Sequence, residues 1–273
     1  MRTALPPYVP PPAKSQRWRL WVLGGVVLAL VVTSIVVRIL QPDPPSLPHF
    51  NEQRPAYGTI HLHTKLSQLG GTSEDYITDS NDTGSVVYIK GSDQASVLDP
   101  NPTVTQFEYI LSAKELWMFS TEDDMWVKTA EPDNEFYVAN SNPVTMLMVS
   151  DYVPESLRKY LKVKSIEDGK VGSHTVKVYD MRLDVPAYRD SKSPDYQPWA
   201  DRMGITVAKR NTTLELSVDA NGVVWRMRSF STIGTTGSNS ATLDQWIEDL
   251  STDKFQPPYP DTYYDEATGR TIG

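Results

Sequence analysis

The chain has 273 residues, no cysteine, 26 Lys and Arg against 34 Asp and Glu, and a formal charge of −8. Zero cysteines exclude disulfides, thiol nucleophiles and zinc–thiolate sites. The charge is uneven: residues 1–40 hold five cations and no acid, which leaves the rest at about −13 and argues against nucleic acid, whose phosphates need basic surfaces.

Residues 1–19 form a basic, Pro-rich tail that includes LPPYVPPP, expected to be a stiff, solvated polyproline segment. The run Leu20–Val37 is uncharged, with Arg17 and Arg19 before it and Arg38 after it. At 1.5 Å per residue such a run spans about 27 Å, close to the hydrocarbon thickness of a bilayer. It is expected to be a transmembrane helix over 20–40, with Leu20, Trp21, Gly24, Gly25, Leu30 and Val37 as anchor residues. The run is longer than a signal-peptide core and no A-x-A-like site follows it. The positive-inside rule then puts the N-terminus in the cytoplasm and the rest outside, in a cell envelope. A Pro-rich stalk is expected over 41–56, a folded domain over 57–254 and an extended tail over 255–273.

Within the domain the hydrophobic period is mostly two. Strands are expected over Tyr57–Leu69, Val86–Ile89, Phe107–Phe119 and Met125–Lys128, the last two bracketing the turn Ser120–Asp124. Lys162–Ile166 and Val171–Val185 are expected to join across Asp168-Gly169. Thr212–Val218 and Val223–Phe230 should join across Asp219–Gly222. A short turn is expected over Asn142–Met148 and short helices over Pro154–Leu161 and Thr242–Leu250; the last carries Leu243, Trp246, Ile247 and Leu250 at helical spacing. The expected fold class is α+β: a transmembrane helix, then a curved, mainly antiparallel sheet covered by short helices.

No catalytic motif of useful specificity is present: there is no G-x-S-x-G, H-E-x-x-H, P-loop or G-x-G-x-x-G. His61 and His63 share a strand face but lack a third ligand, so exposed strand histidines are the expected reading. Glu122–Asp124 and Asp219–Gly222 read as turns rather than calcium loops. The triplets Asn81-Asp82-Thr83 and Asn211-Thr212-Thr213 match the glycosylation sequon, which is common by chance. The expectation is a non-enzyme without cofactor or metal.

The order of elements carries a resemblance. Asn142–Leu147, Leu157–Leu161, GKVGSHTVKVYDMRLDV, LELSVDANGVVWRMRSF and ELWMF…DMWVK together resemble the LolA/LppX-like superfamily of envelope lipid carriers, in a membrane-anchored, actinobacterial-type form. The resemblance spans about Tyr57–Phe230 and implies a half-barrel whose apolar face meets acyl chains or covering helices. Strand alternation chooses Leu116, Met118, Met181, Leu183, Leu214, Leu216, Trp225 and Met227 as lining. The chain lacks the family's long leading helix, and an anchor suits a stationary protein. Two functions follow: a domain that binds or relays a lipid or other apolar ligand, or an accessory subunit of a membrane complex with a filled sheet. In the second, the anchor and the C-terminal tail would meet the partner.

Overall fold

The first strand of the domain becomes the middle of its sheet. In the computed structural model, residues 45–68, 73–81, 85–94, 103–112, 114–129, 146–203, 212–233 and 239–273 are described. Residues 45–273 fold as one unit. The strands are β1 (Thr59–Gln68), β2 (Ser73–Ser80), β3 (Val86–Gln94), β4 (Val104–Ser112), β5 (Leu116–Ser120) and β6 (Met125–Thr129) in the first half. The second half supplies β7 (Leu161–Val171), β8 (His174–Leu183), β9 (Thr212–Val218), β10 (Val224–Ile233) and β11 (Asn239–Ser251), and the tail adds β12 (Tyr263–Asp265) and β13 (Arg270–Ile272). All thirteen form one sheet in the order 13-12-6-5-4-3-2-1-11-10-9-8-7.

The topology is two meanders running in opposite senses. β1 to β6 step outward to one side, and β7 to β11 step inward from the far edge until β11 pairs with β1. Every pairing is antiparallel except that of β12 with β6. Short turns make the meanders cheap to close.

Between β6 and β7 lie helix α1 (Val149–Tyr152) and a 3-10 helix (Glu155–Tyr160); between β8 and β9 lie α2 (Val185–Asp190) and α3 (Tyr196–Met203). Local chemistry starts each turn. The Asp151 carboxylate accepts the Leu147 and Met148 N–H groups at 2.9 and 2.8 Å. Asp184 caps α2 by accepting the Ala187 N–H at 3.1 Å, and Pro186 occupies the first turn, where a missing N–H costs nothing.

The expected fold class needs correction. Of the described residues 56% are strand and 13% helix, in four short helices, so the domain is a large sheet with helical cover rather than an even α+β mixture. No helix among the described residues is long and apolar enough to cross a membrane. The expected transmembrane helix therefore has no counterpart among them; its residues, including Leu20, Trp21, Gly24, Gly25, Leu30 and Val37, lie outside the described residues.

Two local expectations are also corrected. Thr242–Leu250 is strand β11, not a helix: it is paired on both sides, by β1 and β10, and two ladders of backbone bonds outweigh a helical spacing of four apolar residues. The β7–β8 turn falls at Gly172-Ser173, not Asp168-Gly169. Gly172 takes φ +54°, a left-handed conformation that costs glycine little. Asp168 is held within the ladder opposite Lys177, and their side chains pair at 2.6 Å.

The segment expected as a stalk is described from Pro45 and lies along the domain there. Leu47 is buried in the main core, and Arg158 donates to the carbonyls of Leu47 and Pro48 at 3.0 and 3.2 Å. Phe50 meets the Tyr179 ring edge-on, and Glu52 accepts both the N–H and the hydroxyl of Ser150. The tail is also fixed: Tyr263 and Tyr259 pack on Trp117, with ring centroids 4.5 and 5.5 Å away.

Candidate functional site

The register builds one continuous face across ten strands. Leu116 is opposite Leu111, then Val87, Ser80 and Ile60; Met118 is opposite Tyr109, then Ile89, Thr78 and Leu62. Leu62 meets Ile247 on β11. Two residues back on β11, Gln245 leads to Met227, Leu216 and Tyr179, while Leu243 leads to Ser229, Leu214, Met181 and Val163. Because side chains alternate along a strand, Leu116, Met118, Met181, Leu183, Leu214, Leu216 and Met227 share this inner face. Trp225 packs in a second cluster, with Tyr57, Leu147 and the inner-face residues Ile60, Leu62 and Ile247, beside a slip of the β9–β10 register between Val224 and Arg226. There its Nε1 donates to Asp219 at 3.1 Å, and His174 stacks on it.

The inner face is covered differently along its length. Over β7–β10, Met181, Leu183, Leu214 and Leu216 have no exposed surface. They form one core with Val149 and Tyr152 of α1, Leu157 of the 3-10 helix, Val185 and Tyr188 of α2, and Trp199 and Met203 of α3. Polar atoms in this core are satisfied: Trp199 Nε1 donates to the Tyr152 carbonyl at 2.9 Å, the Tyr152 hydroxyl to the Met146 carbonyl at 3.0 Å, and Ser156 bonds Tyr188 at 2.8 Å. Burial raises the Tyr152 hydroxyl pKa above its ordinary value, so it stays a neutral donor. Over β3–β5 a third cluster of Val87, Ile89, Leu111 and Leu116, with Met118 packed against it, contains no residue of a described helix.

The outer face is polar and paired. His63 lies between Asp75 and Glu248, at 2.5 and 2.9 Å, and its ring stacks on Trp246 at 4.1 Å. His61 contacts Asp79 at 2.7 Å. Arg226 grips Asp244 through two nitrogens, at 2.8 and 2.6 Å, and Arg228 adds a third contact. Burial works to raise the Asp244 carboxyl, but the hydrogen bonds and charges of Arg226 and Arg228 outweigh it and hold the pKa below the ordinary 3.8. Asp75 is lowered likewise: burial opposes, while His63 and Lys65 prevail. Among the described residues, no group of three or more metal-ligating side chains could hold an ion. His61 and His63 serve cross-strand pairing.

No family model matches this chain, and no curated protein does. Among solved structures, an uncharacterized conserved protein from Thermus thermophilus is 8% identical, with 74% of this chain and 86% of that chain covered and a TM-score of 0.32. Likeness at that level carries no argument here. The resemblance to LolA/LppX-like carriers therefore rests on the sequence motifs alone. Of the residues that matter, sequence reasoning missed α2 and α3, which supply Tyr188 and Trp199. The signal for α2 was legible in Asp184 followed by Pro186, a cap followed by a first-turn proline.

Proposed function

We propose that the domain is a non-catalytic scaffold, an accessory or assembly subunit that works through its surface. The observation that carries this reading is the filled inner face over β7–β10, where α1, the 3-10 helix, α2 and α3 occupy the space an acyl chain would need. Proteins pack such interiors to crystal-like density, so a ligand could enter only by displacing these helices. The cell envelope is the location we attach to it. That placement rests on sequence, on the contrast between the acid-free first 40 residues and the acidic remainder.

Co-purification of the full chain in mild detergent tests the role. A stoichiometric protein partner is expected; a chain that elutes alone at every stage argues against a subunit role. A second reading keeps one supporting observation. The cluster of Val87, Ile89, Leu111 and Leu116 has no described helix in it, which suits an apolar ligand on that part of the face. Native mass spectrometry separates the readings: an acyl lipid retained on the purified chain supports the second.

A further inference from the structure

Away from the inner face, the start of β1 and the end of β11 enclose a cleft of about 500 Å³. It is lined by Ala56, Tyr57 and Gly58, by Thr252, Lys254 and Phe255, and by Asn81. The walls are held by backbone bonds. Gly58 N–H donates to the Ser251 carbonyl at 2.7 Å, Phe255 N–H to the Gly58 carbonyl at 3.4 Å, and the Thr59 hydroxyl to the Asp253 carbonyl at 2.7 Å. Gly58 is required by this approach: a Cβ there would lie 2.3 Å from the Asp253 carbonyl oxygen and 2.8 Å from that of Thr252. The Asn81 amide is committed to Ser85 through both its oxygen and its nitrogen.

The side chains left to meet a ligand are the rings of Tyr57 and Phe255, the Ala56 methyl, Thr252 and the Lys254 ammonium. Lys254 is exposed, and no carboxylate among the described residues pairs with it. The volume falls within the range of about 300–1,000 Å³ typical of small-molecule sites. We propose that this cleft binds a compact apolar monocarboxylate, with the hydrocarbon against Tyr57 and Phe255 and the carboxylate on the Lys254 ammonium. The larger part of its lining is apolar, which favours hydrocarbon, and its one cation matches one negative charge.

Equilibrium dialysis of the full chain against radiolabelled octanoate, with octanol in parallel, tests this. One saturable octanoate per chain is expected, and octanol should bind more weakly, by roughly threefold, as one partly solvated ion pair allows. Lys254→Glu should weaken octanoate by more than that factor, while the charge-matched Lys162→Glu on the exposed β7 edge should leave it unchanged. Phe255→Ala should weaken octanoate and octanol alike. Absence of saturable binding, equal binding of octanoate and octanol, or equal losses in Lys254→Glu and Lys162→Glu would overturn the proposal. Thermal melts of each variant identify any that fail to fold, and the octanoate–octanol comparison on the unaltered chain stands without them.

Discussion

Leu214→Ala tests whether the inner face is a packed interior or the wall of a ligand space. Leu214 has no exposed surface and sits on β9 between Ser229 and Met181, beneath the helices. Three carbons are lost, at about 0.8 kcal/mol each of transfer free energy, or about 2.4 kcal/mol. A residual cavity of about 60–80 Å³ adds roughly 1.5–2 kcal/mol at 24 cal/mol per Å³. The sum is about 4 kcal/mol. For a unit of this size that corresponds to a fall in Tm of about 8–16 °C. Urea denaturation followed by circular dichroism measures it, and an unchanged m value would show that the unfolding surface is the same. A loss below about 1 kcal/mol would refute the packed-interior reasoning, because a residue lining an open space has few contacts to lose. So would a large loss that added lipid restores.

Three further outcomes follow from the same contacts, and a fourth from the tail. Asp244→Asn should cost about 1.5–3 kcal/mol, the range for a hydrogen bond to a charged group, by leaving Arg226 and Arg228 without their shared carboxylate; chemical denaturation at neutral pH reads it. Asp75, Asp244 and Glu115 all have pKa values below the ordinary 3.8 or 4.5, so their contribution is complete above pH 4.5 and is lost as pH falls through the lowered folded values; Asp244→Asn should flatten part of that acid limb. Gly58→Ala should destabilise by about 1–3 kcal/mol, since its Cβ meets backbone that cannot step aside; a neutral effect on the melt would disprove the close approach. Deleting residues 255–273 uncovers Trp117 and the β6 edge, with a loss of about 1–3 kcal/mol from two ring contacts. It should red-shift tryptophan emission and promote self-association through the open edge; an unchanged spectrum and a monomeric profile would show that the tail is not docked.

Much of the sheet was legible because its strands alternate on one clear face. Leu214 and Leu216, or Met181 and Leu183, could be phased from the residues between them. The slip at Val224 could not, because it is set by the β9–β10 pairing and leaves no mark in the local pattern. β11 failed for a related reason. Leu243, Trp246, Ile247 and Leu250 fit a helix, yet Gln245 is the residue buried between Leu243 and Ile247, bonded to Thr64 at 3.2 Å. A buried glutamine facing a buried threonine is visible only once β1 and β11 are side by side. Likewise Ser73–Ser80, polar in sequence, becomes a central strand because Thr78 and Ser80 can be buried against β1. The prolines near residue 45 signalled a stalk, but Leu47 and Phe50 find apolar neighbours far along the chain, which no local reading weighs.

The most direct test is solvent extraction of the purified full chain followed by lipid mass spectrometry, repeated after Leu214→Trp. A packed inner face carries no stoichiometric acyl lipid in the unaltered chain, and the tryptophan substitution should destabilise it by overpacking. A stoichiometric acyl lipid that Leu214→Trp expels would contradict that packing and make the sheet a carrier's wall.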